Sequence, residues 1–320
     1  MRAFAIDRYS RIEDASFREL PDPSAAAGQV RVRVHAAAVN PADVKVITGR
    51  DGGRFLHAPR FPLVPGFDFS GAIDQVGAGV DGWSEGDAVF GFLPYARSNR
   101  QGSFAELVVV EAGAIGRKPA QATHAEAASA ATVASTALQA MRDKARLRQG
   151  ARVLINGASG GVGSYGVQIA KRLGAEVWGT CSAARIEHVE ALGADRALDY
   201  RALKISDLDA RFDVILDAAA TASFGACRPV MSPGAGYVTT LPTPATLAGF
   251  LASLFSSQTV RFVVVKSRRA DLDLIADWID EGAVASVVDR TYPFEALPDA
   301  LQAMAAGGVK GKIAVQMAPG

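Results

Sequence analysis

Cysteine is scarce in this chain. Its 320 residues include only two, Cys181 and Cys227, far apart in sequence. That excludes a disulfide framework and a four-cysteine zinc site. A charge imbalance is also lacking: 34 Lys and Arg face 33 Asp and Glu, a net charge of +1. No basic block stands out, so nucleic acid is not an expected partner. A membrane-length apolar run is missing too. No charged residue occurs between Arg228 and Arg261, but Pro229, Pro233, Gly234, Gly236, Pro242 and Pro244 interrupt the first half. The remaining piece, LAGFLASLF (residues 247–255), is far short of the ~20 residues a span needs. It reads as a buried helix or an active-site flap. The opening segment, MRAFAIDRYSRIEDASF, carries charges throughout and has no apolar signal core. A secretory peptide is not expected there, and the cytoplasm is the expected compartment. With 49% hydrophobic and 21% charged residues, the composition is ordinary for a globular protein, and the length suits about two domains.

What the chain does have is one well-punctuated stretch, VLINGASGGVGSYGVQIAKRLGAEVWGTCS, residues 153–182. Val153, Leu154 and Ile155 form the short apolar run of a strand buried on both faces. Gly157, Gly160, Gly161 and Gly163 follow. Val162, Tyr165, Ile169, Ala170 and Leu173 then recur at helical spacing. Gly174 ends that helix, and Val177-Trp178-Gly179-Thr180 resumes extended structure. The unit reads as βαβ with glycines at its first turn. Such a turn suits anion binding, because glycines let the backbone approach a pyrophosphate and helix N-terminal N–H groups point at it. The spacing is G-x-x-G-G-x-G rather than G-x-G-x-x-G, and no Lys-Ser or Lys-Thr pair follows, so the loop is not a Walker loop. The competing reading is a tight strand-to-helix turn that binds nothing.

Before this unit the chain is β-rich. VRVRVHAAAV (30–39) alternates as a half-buried strand does. Residues 69–92 carry turn signals at Gly71, Gly77, Gly79, Gly82 and Gly86 and predict short strands curling into a small barrel. SFAELVVV (103–110) predicts another strand. Residues 121–149 are alanine-rich and helical, with Thr123 as N-cap, Glu126 at the capping-box position and an end at Gly150. After the unit, helix and strand alternate: a helix over 186–194, strands over 212–220 and 236–240, a last apolar strand over 260–265, and a helix over 270–282. That alternation predicts a doubly wound parallel sheet. The tail holds strand, helix and strand, and its extended ends predict a return to the N-terminal domain.

A β-rich half followed by a nucleotide-binding half resembles the medium-chain dehydrogenase/reductase family. The resemblance spans nearly the whole chain. It is carried by VNPADVK (39–45), PLVPGFDFSGAI (62–73), GDAVFGF (86–92), GSFAELVVV (102–110), ASTALQA (134–140), LINGASGGVGSYGVQIAK (154–171), LGADRALDY (192–200), FDVILDAA (212–219) and GKIAV (311–315). The branch it looks like is the zinc-independent quinone oxidoreductases, or zeta-crystallin-like enzymes. The resemblance implies an α/β fold, a Rossmann-type doubly wound parallel sheet plus a GroES-like β-rich catalytic domain, with the active site in the cleft between them. It divides the chain into residues 1–125 (catalytic), 126–263 (Rossmann) and 264–320 (returning to the catalytic domain). The zinc alcohol dehydrogenase branch puts a cysteine ligand in the region where this chain has Val39-Asn40-Pro41-Ala42-Asp43. It puts Gly-His-Glu where this chain has Gly66-Phe67-Asp68, and the structural cysteine lobe is missing as well. No metal is therefore expected, and simple alcohol oxidation, which relies on that Lewis acid, is disfavoured.

For the cofactor, Gly157, Ser159, Gly160, Gly161, Val162 and Gly163 are the expected contacts of the turn. A Rossmann strand that selects NAD ends in an acidic residue. Here it ends Gly179-Thr180-Cys181-Ser182, with Arg185 close behind, able to accept a 2′-phosphate or simply to sit in solvent. Tyr200 matches a tyrosine that the family places beside the same phosphate, although a packing role is also open to it. NADPH is the expected cofactor. The resemblance also implies that Thr136 reaches the nicotinamide end and that Lys312 contacts the cofactor. Tyr200 and Lys204 mimic the Y-x-x-x-K pair of short-chain reductases, but they lie too soon after the loop, and the β-rich first half is foreign to that family.

Without zinc, the acceptor must already be electrophilic: a quinone or an α,β-unsaturated carbonyl. The resulting enolate oxygen needs hydrogen-bond donors, and a side chain or water supplies the proton. The resemblance puts Asn40, Asp43 and Lys45 nearest the nicotinamide. Asn40 could donate to the carbonyl oxygen, Lys45 could stabilise the enolate or act as acid, and Asp43 could orient either. Their structural alternatives are a turn asparagine, a helix cap and a solvated lysine. Tyr95 is a candidate substrate contact, while His35 and His57 read as isolated structural histidines. The expected function is an NADPH-dependent quinone or enone oxidoreductase. Its alternatives are an enoyl-thioester reductase and an NADPH-binding sensor or structural protein. The resemblance further implies a homodimer, formed through the late strand and the neighbouring apolar segment.

Overall fold

The computed structural model describes residues 1–241 and 243–317. They form two compact units. One contains Met1–Thr132, Lys266–Gly282 and the segment that begins at Ser286. The other contains Val133–Val265 and Ala283–Ala285.

The second unit is a six-stranded sheet in which every neighbouring pair is parallel. Its order is Arg196–Asp199, Glu176–Cys181, Arg152–Asn156, Phe212–Asp217, Met231–Thr239, Thr259–Phe262. Numbered within the unit this is 3-2-1-4-5-6, the doubly wound order of dinucleotide-binding sheets. The central strand Arg152–Asn156 is buried from Val153 onward, as its continuous apolar run dictates. The helix Gly161–Arg172 follows it and buries Tyr165, Val167, Ile169 and Ala170.

The first unit is built on a mixed seven-stranded sheet. Its order is Val288–Pro293, Lys312–Gln316, Gln29–Val39, Asp68–Val76, Ala88–Phe92, Ile115–Arg117, and Leu107–Glu111 also pairs with Gln29–Val39. Val30, Val32 and Val34 of the long strand are buried, whereas Arg33 is exposed, so the period-two pattern holds there. The tail does rejoin this unit: Ile313–Gln316 pairs antiparallel with Val39–Ala36. Thr123 and Glu126 form the expected capping box, with Thr123 N donating to Glu126 Oε2 at 2.8 Å and Glu126 N to Thr123 Oγ1 at 3.2 Å.

Several local expectations change. The helix His124–Leu138 does not run on to Gly150. It widens into a π-helical turn, Gln139–Ala145, and ends at Arg146 in the left-handed conformation. The late strand is only Thr259–Phe262, and it lies at the sheet edge. The apolar segment before it forms the helix Pro244–Ser253, which is not buried: Leu247, Phe250 and Leu251 are exposed. The helix touches its own unit through Gly249, where an added Cβ would sit 3.0 Å from Phe224 Cβ. Periodicity cannot distinguish a helix buried all round from one that keeps its apolar face outward. No helix among the described residues is long and apolar enough to cross a membrane.

Candidate active-site cluster and cofactor turn

The glycine turn starts where the central strand stops. Gly157 has φ +81°, a conformation that L side chains rarely adopt, and a Cβ there would meet Ala219 Cβ at 2.7 Å. A Cβ on Gly163 would lie 2.1 Å from Gly157 O, so turn and helix touch backbone to backbone. Gly160 differs, because its nearest neighbour would be Gly157 O at 3.5 Å. The space above Gly160 is open, over the first helical N–H groups of Gly161, Val162 and Gly163, which have no intrahelical acceptors. Ser159 is half-buried at the same turn. This open, positively polarised cradle fits a pyrophosphate.

Beneath the turn lies a polar network that sequence reasoning missed. Asn156 Nδ2 donates to Asp217 Oδ1 at 2.7 Å and to Thr221 Oγ1 at 3.0 Å. Thr180 Oγ1 donates to Asn156 Oδ1 at 2.7 Å and accepts from Gly157 N at 3.1 Å. Tyr237 donates its hydroxyl to Asp217 Oδ2 at 2.8 Å, and the amides of Thr221 and Ala222 donate to the same carboxylate. Burial, reinforced by Asp217, pushes the Tyr237 phenol up, so it stays a donor. The carboxyl ends of four strands are thereby tied together under the cofactor turn. The signal was present in sequence: one polar residue closes each apolar run, VLIN and VILD, and a buried polar end needs partners.

At the end of the second strand, Tyr200 N donates to Cys181 O at 3.0 Å, which brings Ser182, Arg185 and Tyr200 to one corner. Tyr200 is exposed, with the Arg201 guanidinium 5.6 Å from its ring centroid. A carboxylate that chain order hides is also close, since Asp199 is the register partner of Cys181. Its Oδ1 turns back to accept the Arg201 N–H at 3.1 Å. Thr136 is buried, on the helix His124–Leu138.

In the first unit, four of the remaining candidates, Asn40, Asp43, Tyr95 and Lys312, converge, and two further residues join them. Asp68 is fully buried and Lys312 is 2% exposed. Lys312 Nζ donates to Asp68 Oδ2 at 2.9 Å and to Asn40 Oδ1 at 2.5 Å. Asn40 Nδ2 donates to Asp68 Oδ2 at 3.0 Å and, at 3.4 Å, to Ala38 O. Thr132 donates both its N–H and its hydroxyl to Asp68 Oδ1. That hydroxyl hydrogen is thus committed, so the Tyr95 hydroxyl is the donor in its 3.2 Å contact with Thr132 Oγ1. Tyr95 stacks on Phe67 with centroids 4.0 Å apart. Burial, then Asp68 and Asp43, raise its pKa well above the usual phenol value, so it stays protonated.

Asp43 completes the cluster. It is fully buried and accepts the Asn40 N–H on Oδ2 at 2.6 Å, while Oδ1 has no partner. Burial raises its pKa to about 8, with the Asn40 N–H and Lys312 opposing and Asp68 reinforcing the rise. A neutral, protonated carboxyl is therefore held beside an ion pair. Lys45 stands apart, half-buried, its ammonium without a hydrogen bond or ion pair among the described residues. Asn40 does not keep an unengaged amide for a substrate carbonyl, because its carboxamide is spent inside the cluster. Lys312 belongs to this cluster. Thr132 and Asp68 were not foreseen as site residues. A lone Asp between Phe67 and Phe69, and a lone Lys beside Ile313, were the available signals, since buried charges must pair.

One histidine expectation also changes in space, and the other holds. His35 is not isolated: its Nδ1 lies 3.3 Å from His124 Nε2, and His124 Nδ1 lies 2.8 Å from Ser70 Oγ. Burial lowers the pKa of both rings, to about 4 for His124. His57 is buried, with ring nitrogens 2.9 Å from Ala58 O and from Gln101 O.

Residues 26–120 match the family described as "Alcohol dehydrogenase GroES-like domain", and residues 192–315 match "Zinc-binding dehydrogenase". The chain is 32% identical to the mitochondrial NAD(P)H oxidoreductase RTN4IP1 of Mus musculus, over 99% of this chain and 89% of that protein. It is 30% identical to a chloroplast envelope quinone oxidoreductase homolog of Arabidopsis thaliana, over 93% and 92% of the two chains. Its fold matches the structure of the quinone oxidoreductase from Coxiella burnetii with a TM-score of 0.89, at 24% identity over 99% of both chains. The zinc in one family description does not fit the donors present here. Residues 39–43 offer no sulfur and Phe67 no imidazole, and the Asp68 carboxylate is already held by an ammonium, an amide and a threonine. By these matches and by its fold, the chain belongs to the medium-chain dehydrogenase/reductase family, in its quinone oxidoreductase-like branch.

Proposed function

We propose that this chain is an NADPH-dependent, zinc-independent reductase acting on a quinone or on the C=C bond of an α,β-unsaturated carbonyl. The observation that carries the reading is the Asp68–Lys312 pair with Asn40 and Thr132. It fills with protein groups the region where the zinc branch of the family has ligands. An acceptor reduced without a Lewis acid has to be electrophilic on its own, as quinones and enones are. A bound dihydronicotinamide would supply the hydride, held by the amides of Gly161, Val162 and Gly163 under its pyrophosphate.

The negative oxygen formed on the acceptor calls for a donor or a nearby cation. Lys312 has one ammonium hydrogen left after serving Asn40 and Asp68, and Tyr95 would have to turn its hydroxyl hydrogen away from Thr132 Oγ1 to donate. Lys45 is a third candidate, with its ammonium unengaged. Asn40 acts through Lys312 by fixing its ammonium, and Asp43 holds Asn40 in place through its backbone N–H. The preference for NADPH rests on a second strand that does not itself end in a carboxylate, the neighbouring Asp199 being turned back onto the Arg201 N–H, together with Ser182, Arg185 and Tyr200 at that corner. The asymmetric burial of the second unit, with an open sheet edge beside an apolar helix, supports a homodimer.

The test is NADPH oxidation against a panel of quinones, enones and enoyl thioesters, with and without a strong chelator. Turnover of quinones or enones that survives chelation is expected. Tight NADPH binding with no turnover of any acceptor would sink the enzyme reading, and loss of turnover on chelation would sink zinc independence. Arg185→Ala is expected to raise the KM for NADPH while leaving that for NADH unchanged. Equal use of both cofactors by the native protein would refute the preference.

A further inference from the structure

A cavity of the second unit lies at the end of the sheet opposite the glycine turn. It measures about 620 Å3 and is lined by Ala151, Asp213, Pro233–Gly236 and Thr259, where strands begin, and by the segment Lys144–Gly150. The glycine turn follows the far end of the five-residue central strand, roughly 16 Å away at the usual rise. The volume falls within the roughly 300–1,000 Å3 of small-ligand sites.

Its charge is one-sided. Lys144, Arg146, Arg148 and Arg261 line it, against the single carboxylate of Asp213. That carboxylate is already engaged, accepting the Arg152 N–H on Oδ2 at 2.9 Å. The neighbouring Arg142 pairs with Asp143, whereas none of the four lining cations forms an ion pair among the described residues. Four cations converging on one hollow repel each other, and a bound anion relieves that repulsion.

The backbone adds an independent sign. Arg146 closes the π-helical turn with φ 53° and ψ 48°, the left-handed position that glycine usually takes at a helix end. Its own N–H and that of Leu147 both donate to Met141 O. A non-glycine residue there carries strain, yet the position holds an arginine on the rim of the hollow.

A second hollow shares Pro233 with the first and is lined by Arg211, Arg228 and Gln258. Gln258 is 8% exposed, and its Nε2 donates to Met231 O at 3.1 Å, which fixes the amide's orientation. Its Oε1 has no partner. A buried acceptor of this kind is completed by an O–H or N–H group.

We propose that the two hollows form a second anion site, separate from the cofactor turn, for an organic polyphosphate. The phosphates lie on Lys144, Arg146, Arg148 and Arg261, where guanidinium forks match phosphate oxygens in pairs. A hydroxyl or amino group of the organic part meets Gln258 Oε1. Inorganic polyphosphate offers the charge but not that donor.

The experiment is calorimetric titration of the full chain, carrying one equivalent of NADPH, with ATP and separately with inorganic tripolyphosphate. ATP is expected to bind with one further equivalent, about tenfold or more tighter than tripolyphosphate, and to weaken as salt rises. The double variant Arg146→Gly with Arg148→Gln is expected to lose about tenfold or more in ATP affinity. Its melting temperature is expected to hold, because glycine suits the left-handed position. NADPH affinity of the variant is expected to be unchanged, which separates this site from the cofactor turn. Absence of ATP binding, or equal binding by the variant, would overturn the site. Tripolyphosphate binding as tightly as ATP would overturn the organic ligand and the part given to Gln258.

Discussion

Asp43 and Lys312 show what single residues do when buried charge has few partners. Asp43 keeps its proton up to about pH 8 in the folded protein, mainly because burial disfavours the carboxylate. In the unfolded chain the same group ionises near its ordinary value of about 4. Between those two values the folded state holds the extra proton, so the Asp43 contribution to stability falls as pH rises and levels off above about 8. Asp43→Asn cannot ionise and still offers an oxygen to the Asn40 N–H. Urea unfolding from pH 5 to 8.5 is expected to show a flatter stability profile in the variant than in the native chain. Parallel profiles would refute the protonated state. Lys312→Met removes the ammonium from a fully buried Asp68, and breaking such a pair costs about 3–5 kcal/mol. Adding Asp68→Asn removes the stranded charge and is expected to restore part of that loss. A single variant as stable as the native chain by urea midpoint would show that the pair is not what holds this cluster.

At the scale of elements, the glycine turn separates two jobs that glycine can do. Gly163 is a packing glycine, because its Cβ would collide with the Gly157 carbonyl and the Ala158 Cα. Gly160 is an access glycine, because its Cβ meets only Gly157 O, at ordinary contact distance. Gly163→Ala is therefore expected to lower both stability and NADPH affinity. Gly160→Ala is expected to leave the melting temperature unchanged and weaken NADPH about tenfold or more, since a methyl group would occupy the anion's approach. Unchanged NADPH binding in Gly160→Ala would mean that no phosphate lies over that amide. This βαβ unit was legible in the sequence because its determinants are local: an apolar run, a glycine turn, then a 3.6-residue period. The Asp68–Lys312 contact was not, because 244 positions separate the two residues. A lone charge in an apolar strand announces that a partner exists without saying where. The π-helical turn after Leu138 was hidden for a related reason: its alanine-rich sequence suits a continuing helix equally well, and the chain's path at Arg146 decides the outcome.

At the scale of the whole molecule, the apolar surface of the second unit has to be explained. Leu247, Leu251, Leu254 and Val264 are each more than half exposed, and Phe255 is 91% exposed. They accompany the strand Thr259–Phe262, which has a neighbour in the sheet on one side only. An exposed strand edge flanked by apolar side chains is a pairing surface that a monomer has to defend, and Arg261 is the one charged residue of that strand. A second copy related by a two-fold axis satisfies both features together, because an isologous contact sets the same edge and the same helix face against themselves. The hydrophobicity that suggested a buried helix from sequence is on the outside of the second unit instead. Sedimentation of the native chain is expected to give a dimer. Leu251→Ser combined with Phe255→Ser is expected to give a monomer that still binds NADPH, because neither side chain belongs to the glycine turn. A native monomer, or a dimer unaffected by the double substitution, would rule out this face as the interface. Loss of NADPH binding along with the dimer would instead tie assembly to the integrity of the cofactor-binding unit.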